Sequence, residues 1–336
     1  MNTAVKNIGL PERVFSVTTD NFSDLALEVF RYQYANNDIY RQYCQTLTID
    51  PDKIDNIEKI PYLPIDFFKT HRIITTQFEP VAIFESSGTT QTINSKHLIK
   101  DISLYEQSFT DCFNLFYGKP EEWCIIALLP SYLERNNSSL VVMAEKLIQQ
   151  SKHHASGFYL HDTAALHQIV QTLEKQQQKT LLLGVTFALL NFAEQYPMPL
   201  HYTVIMETGG MKGRRKEITR QETHAILREN FQAGTIHSEY GMTELLSQAY
   251  SKENGIFNCP PWMKILIRDE DDPLTVHSST QNKTISGAIN VIDLANIYSC
   301  SFIATEDAGK LHAENSFEVL GRLDNSDIRG CSLLVL

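Results

Sequence analysis

Between residues 120 and 240 the chain alternates short apolar runs with helix-length amphipathic stretches, and few architectures accept that pattern. Cys124–Leu129 is an apolar run followed by a helical stretch through Leu140–Ile148, and Gly157–Leu160 precedes Ala164–Leu173. Thr180–Val185 leads into Phe187–Tyr196, Tyr202–Met206 into Glu222–Phe231, and Thr235–Ser238 closes the series. Strand-sized runs without polar alternation are buried on both faces, and the helices between them return the chain for parallel pairing. The pattern predicts an α/β fold with mostly parallel sheets flanked by helices. In such sheets ligands bind beyond the carboxyl ends of the strands, so the segments just after each run are the places to look for chemistry.

The first part of the chain reads differently. Ser23-Asp24 are expected to cap a helix over Leu25–Tyr40, with Leu25, Val29 and Phe30 on one face. Pro61, Pro64 and Pro80 then punctuate a less regular stretch. The expected organisation is a single large domain, 1–336, in which a helical and loop-rich region (1–80) packs on an α/β core (81–336). A chain that is 43% hydrophobic and 21% charged can bury such a core. Its formal net charge of −11 excludes a nonspecific nucleic-acid binder, which needs a basic surface to displace counterions. No apolar run approaches the roughly 18 residues that cross a bilayer, and the first residues lack the layout of a secretory signal. Six cysteines without a CxxC pair point to reduced thiols and a cytoplasmic location, and eleven histidines without HxxxH spacing suggest no metal centre.

The most informative segment for function is Glu85-Ser86-Ser87-Gly88-Thr89-Thr90-Gln91-Thr92-Ile93-Asn94-Ser95-Lys96-His97. Four hydroxyl residues, Ser86, Ser87, Thr89 and Thr90, surround Gly88, and Lys96 follows eight positions after it. Glycine permits a sharp turn, hydroxyls and exposed N–H groups can wrap a phosphate chain, and lysine adds a mobile positive charge. The second glycine and the Lys-Ser/Thr pair of a Walker loop are absent. A solvated polar hairpin accounts for the same residues.

The segment resembles the Ser/Thr/Gly-rich phosphate loop of the adenylate-forming ligases, S-G-T-T-G-x-P-K, with Gln91 in place of the second glycine. Tyr240-Gly241-Met242-Thr243-Glu244 matches the Y-G-x-T-E motif of the same superfamily. The resemblance implies that Tyr240 stacks on adenine beside Gly241, Thr243 meets the α-phosphate and Glu244 holds Mg²⁺. Thr305-Glu306-Asp307 is similar to the T-G-D motif, whose aspartate grips the ribose hydroxyls. Gly321-Arg322-Leu323-Asp324 is similar to the G-R-x-D hinge, with Arg322 as a ribose or phosphate contact. Taken alone, the Tyr240 segment reads as a helix start and Asp307 as an acidic turn before Gly309.

The small C-terminal domain of most such ligases, with its adenylation lysine, is not among these residues. The whole chain most resembles the LuxE acyl-protein synthetase family, on six segments in order. These are 61–69, 86–97, 129–140, 207–216, 240–244 and the terminal Arg329-Gly330-Cys331-Ser332. In the fourth, Gly209-Gly210 after a strand would let backbone approach a planar base, with Lys212, Arg214, Arg215 and Lys216 beside it; a solvated basic turn fits equally. Glu134 and Arg135 in the third form either a buried pair, a lid clamp or a substrate contact.

The resemblance implies ATP- and Mg²⁺-dependent conversion of a carboxylic acid, fatty acyl in kind, to an acyl-adenylate, followed by transfer to a cysteine thiol. Cys331 is the candidate thiol, flanked by Gly330 and Ser332 with Arg329 nearby. Cys112, Cys124 and Cys300 lie in apolar runs and read as packing. Partners implied are a reductase, an acyltransferase or a carrier protein. Two other readings stand: a ligase delivering to coenzyme A or a carrier protein, and a nucleotide-binding scaffold without catalysis.

Overall fold

The computed structural model describes residues 9–86, 93–131, 133–135, 137–209, 218–279 and 283–323. The chain divides into two compact units. The first takes the residues up to Tyr105, Thr243–Ser247 and the chain from Asn258 onward; the second takes Glu106–Met242 and Gln248–Phe257.

The second unit is the alternating region, and each expected strand and helix is present with its ends shifted by at most three residues. Thr180–Val185 pairs in parallel with Cys124–Leu128 on one side (Ile125↔Leu181) and with Thr203–Thr208 on the other (Leu181↔Val204). Gly157–Phe158 and His237–Tyr240 extend the parallel run at either side, and Ala249–Ser251 closes it antiparallel to His237–Tyr240. Helices Ser139–Ser151, Thr163–Lys175, Thr186–Gln195 and Arg220–Phe231 connect these strands. Every residue of Cys124–Leu128 and Thr180–Val185 is buried, which explains runs that show no polar alternation. Arg220–Phe231 starts on a capping box: Thr219 accepts from the Glu222 amide while the Glu222 carboxylate accepts from the Thr219 amide.

The first unit holds an antiparallel sheet that the alternation did not announce. Its strands run in the order Val276–His277, Met263–Arg268, Ile285–Asp293, Phe302–Leu311 and Phe317–Arg322. Leu63–Pro64 adds to it in parallel, with Leu63 opposite Ile303 and Pro64 opposite Ala304. A separate hairpin joins Ala82–Glu85 to Lys96–Ile99.

The expected Leu25–Tyr40 helix is two helices, Phe22–Asn36 and Asp38–Thr46. Ser23 and Asp24 lie inside the first turn rather than at the cap, which is Asn21. Asn37 leaves helical geometry (φ −113°, ψ 108°) and its side-chain oxygen accepts from the Tyr40 amide at 3.0 Å, restarting the chain as a new helix. The same side chain donates to Ser299 O at 3.1 Å, a bond that a continuous helix would not allow from this position. One turn earlier, the buried Gln33 amide donates to Asn296 O (3.0 Å) and Ile297 O (3.1 Å) and accepts from Ser301 N (2.9 Å). Gln33 and Asn37 thereby fasten the N-terminal helices to residues 296–301. No described helix is long and apolar enough to cross a membrane.

Replacing Gln33 by leucine keeps the volume and strands two buried backbone groups, Ile297 O and Ser301 N, while Asn296 O keeps its bond from Ser299 N, so Gln33→Leu should cost on the order of 2–3 kcal/mol. Urea unfolding against Gln42→Leu on an exposed helix face, expected within about 0.5 kcal/mol of wild type, checks this. Equal costs would show that the Gln33 bonds contribute nothing.

Candidate active site

In the first unit the paired strands Ala82–Glu85 and Lys96–Ile99 flank the hydroxyl-rich segment in sequence. Ser86 N donates to Ser95 O at 3.1 Å and Ser95 N donates to Ser86 Oγ at 2.9 Å, so the two serines carry the pairing one step beyond the strands. Ser87, Gly88, Thr89 and Thr90 lie outside the described residues. Side chains alternate across a strand, and here the alternation separates three neighbours. Lys96 is 59% exposed, with Nζ 3.7 Å from Glu85 Oε1 on the paired strand. Ser95 and His97 are buried on the other face.

Those two buried residues meet the Thr243–Glu244 segment, which is a turn and not the start of a helix. His97 Nδ1 lies 2.9 Å from Thr243 O, so that nitrogen carries the proton and donates. Burial pushes the His97 imidazole down to about 4, against the Thr243 carbonyl and Asn296, and the ring is neutral at pH 7. Asn296 Nδ2 donates to Glu244 O at 2.7 Å. Buried Asp293 accepts from Leu246 N (2.8 Å), Ser247 N (3.0 Å) and Ser247 Oγ (2.6 Å). The turn is therefore gripped at its carbonyls by His97 and Asn296 and at its amides by Asp293. The Glu244 carboxyl is itself buried, 5% exposed. Burial raises its pKa, while the Ser95 hydroxyl and the charges of Arg322 and Lys69 oppose the rise.

Asp307 and Arg322 sit opposite each other on adjacent antiparallel strands. Asp307 is thus within the strand Phe302–Leu311, beside a register shift at Ala308/Gly309, and not in a surface turn. The sheet holds this stretch closely: Asp307 N donates to Thr305 Oγ1 (3.2 Å), and Arg268 Nη2 donates to Thr305 O (2.5 Å).

The second unit gathers polar residues at the carboxyl ends of its parallel strands. Thr186 Oγ1 donates to Gly209 O at 2.5 Å, and Gly209 has φ 66°, a left-handed conformation that glycine adopts without strain. Gly210 and the four cations from Lys212 to Lys216 lie outside the described residues. Glu207 lies 3.3 Å from Arg220 Nε and 3.5 Å from His224 Nε2. Burial opposes its ionisation, but His224, Arg220 and Ser238 outweigh that and lower its pKa. Among the described residues no cation pairs with Glu239. Burial raises its carboxyl to about 7, against a hydrogen bond from Thr208 and helped by the charge of Glu207. A Cβ on Gly241 would fall 2.4 Å from Glu239 Oε1, so the glycine of the motif leaves room for this carboxyl. Tyr240 is 8% exposed, its ring 6.0 Å from that of Phe257.

Two further expectations resolve differently. Glu134 is exposed, accepts from Ser131 N (2.7 Å) and Oγ (2.8 Å) and pairs with His161 Nε2 (2.8 Å). The Ser131 amide and hydroxyl, with His161, pull its pKa down to about 2. It forms no buried pair with Arg135. Cys112, Cys124 and Cys300 are buried as packing residues; Cys331 and Asp324 lie outside the described residues.

The family described as acyl-protein synthetase, LuxE, matches residues 15–336. The chain belongs to this LuxE family. Among curated relatives it is 22% identical to the long-chain-fatty-acid–luciferin-component ligase of Vibrio harveyi, over 93% of this chain and 86% of that protein. It is 21% identical to the ligase of the same name from Aliivibrio fischeri, over 92% of this chain and 86% of that one. Among solved structures, O-succinylbenzoate coenzyme A synthetase from Bacillus subtilis in complex with AMP is similar at 17% identity and a TM-score of 0.48. That match covers 75% of this chain and about half, 51%, of the synthetase. Within this LuxE-family chain, motif reading missed Asp293, Asn296 and Glu239, and it included Ser95, His97 and Glu207 in its segments without giving them a role. A carboxylate before Tyr-Gly was the one visible signal.

Glu239 gives a pH prediction. In the unfolded chain it titrates near the ordinary 4.5 and in the folded chain at about 7, so the folded state holds a proton that the unfolded state has lost. Its contribution to stability is present below about pH 4.5 and is lost as pH rises through about 7. Glu239→Gln should therefore lose less stability than wild type between pH 5 and pH 8 in urea unfolding. Parallel losses in the two proteins would contradict the assignment.

Proposed function

We propose that this LuxE-family enzyme activates a long-chain fatty acid with ATP and passes the acyl group to a cysteine thiol. A carboxylate oxygen attacks the α-phosphorus of ATP, the bond to the bridging oxygen breaks, and pyrophosphate leaves with the electron pair. The thiolate then attacks the acyl carbonyl of the adenylate, AMP leaves, and a thioester forms, the thiol proton having passed to solvent. Neither step needs the protein to form a bond to phosphorus, so catalysis rests on positioning and on charge stabilisation.

The observation that carries this reading is the state of Glu244. It ends the Tyr240–Glu244 motif on a turn fixed at both faces, and its buried carboxylate makes no ion pair among the described residues. That arrangement suits a hard divalent cation, which accepts one carboxylate and completes its shell with phosphate oxygens and water. No cluster of three or more His, Cys, Asp or Glu among the described residues could hold a cation alone. Glu244 would hold Mg²⁺, which when bound neutralises charge on the phosphates.

The remaining roles follow from the motif resemblance. Thr243 is assigned to the α-phosphate, Ser86–Thr90 and Lys96 to the phosphate loop, and Asp307 with Arg322 to the ribose. Tyr240, Gly241, Gly209 and Gly210 are assigned to the base. For the thiol, burial raises the pKa of Cys44, Cys124, Cys259 and Cys300, which suits packing more than attack. Cys331, beside Gly330 and Arg329, is the proposed acceptor.

Acid-dependent ATP–pyrophosphate exchange by the purified chain should be greatest with long-chain fatty acids and fall roughly 10²–10³-fold in Glu244→Gln. Cys331→Ser should keep exchange and lose the hydroxylamine-labile acyl label on the protein. Absence of acid-dependent exchange in wild type, or exchange untouched by Glu244→Gln, would overturn adenylation at this site. A label that survives in Cys331→Ser would move the acceptor to another residue.

A further inference from the structure

The segment 61–69 is carried by the family resemblance without a role, and the fold of the first unit supplies one. Strand Leu63–Pro64 lies parallel to Phe302–Leu311, and Ile65 N donates to Ala304 O at 2.9 Å. The chain therefore enters the helical turn Phe67–Thr70 directly beside Thr305-Glu306-Asp307. Phe68 in that turn is buried, its ring edge-on to His97 with centroids 5.8 Å apart. His97 in turn holds Thr243 O. One short turn is thus anchored to the strand of Asp307 on one side and, through His97, to Thr243–Glu244 on the other.

Lys69 follows Phe68. Its ammonium lies 2.5 Å from Asp66 Oδ1, and both side chains are substantially exposed, 38% and 57%. The hydrogen bond to Asp66 raises the Lys69 pKa; Glu306 adds to that through space and Arg322 opposes it. Among the described residues, Lys69 and Arg322 are also the two cations whose charges act on buried Glu244. Lys69 therefore feels Glu306 and Arg322 and in turn acts on Glu244. An exposed pair such as Lys69–Asp66 contributes at most about 1 kcal/mol, so the ammonium can exchange that partner for a stronger one. The lysine of the loop, Lys96, points away from the Ser95–His97 face that meets Glu244 and Thr243.

We infer that Lys69 is a second phosphate-binding lysine of this enzyme, leaving Asp66 to contact the ATP polyphosphate beside Glu244. This rests on the adenylation reading above. An ammonium there would offset the charge that builds on the departing pyrophosphate. The lysine is a point charge on a flexible stem, suited to follow the phosphates as they separate.

The test compares Lys69→Met and Lys69→Arg with wild type by calorimetric titration with Mg²⁺–ATP and with AMP, alongside pyrophosphate exchange. Lys69→Met should weaken ATP binding about tenfold, leave AMP binding within about twofold, and lower exchange by roughly 10–10²-fold. Lys69→Arg, which keeps the charge, should recover most of the ATP affinity. Equal weakening of ATP and AMP, or no recovery in Lys69→Arg, would make Lys69 a merely structural residue and overturn the inference. Unchanged ATP binding and exchange in Lys69→Met would overturn it as well. Failure of the wild-type chain to bind ATP would instead defeat the adenylation reading, a result distinct from either.

Discussion

The turn Thr243–Ser247 depends on three side chains that reach it from elsewhere in the first unit. A buried turn lies outside any helix or sheet ladder, so its amides and carbonyls must find side-chain partners or remain unsatisfied at a cost of a few kcal/mol each. His97 and Asn296 take carbonyls and Asp293 takes amides. Each partner comes from an element with its own reason to be fixed: His97 from the hairpin, Asp293 from the end of strand Ile285–Asp293, and Asn296 from the segment to which Gln33 is bonded. The N-terminal helices, far in sequence from the motif, therefore help to set where Glu244 stands.

Legibility followed burial pattern and sequence distance. The parallel strands of the second unit were readable because burial on both faces erases polar alternation, and Thr180–Val185 stands out as a run. The antiparallel strands of the first unit were not, because Phe302–Leu311 carries Thr305, Glu306 and Asp307 inside it and reads as a turn. The helix break at Asn37 escaped for a related reason: its cause is a carbonyl at Ser299, 262 residues away. Glu244, Asp307 and Arg322 were proposed through motifs, which are contiguous. His97 and Asn296, which hold the same turn, lie 146 and 52 residues from the groups they contact; His97 closes the 86–97 segment without a role there, and Asn296 belongs to no motif.

The buried carboxylates show how differently one residue type is treated. Glu207 is compensated by Arg220 and His224 and stays ionised in spite of burial. Glu239 has no cation beside it among the described residues and holds its proton to about pH 7, bonded to Thr208 with room left by Gly241. Glu244 stands between these cases. Burial raises it, two cations oppose that at a distance, and neither forms an ion pair with it. A carboxylate already matched by a bonded arginine has little left to offer a ligand, while a protonated one has no charge to offer. A carboxylate that is to receive a cation together with an anionic phosphate chain must be ionisable and unpaired, with positive charge near enough to favour the incoming phosphates but not bonded to the acid itself. Of the three, Glu244 alone satisfies those conditions. As the proposed ligand, Glu244 owes its fitness to what the fold withholds from it as much as to the motif that contains it.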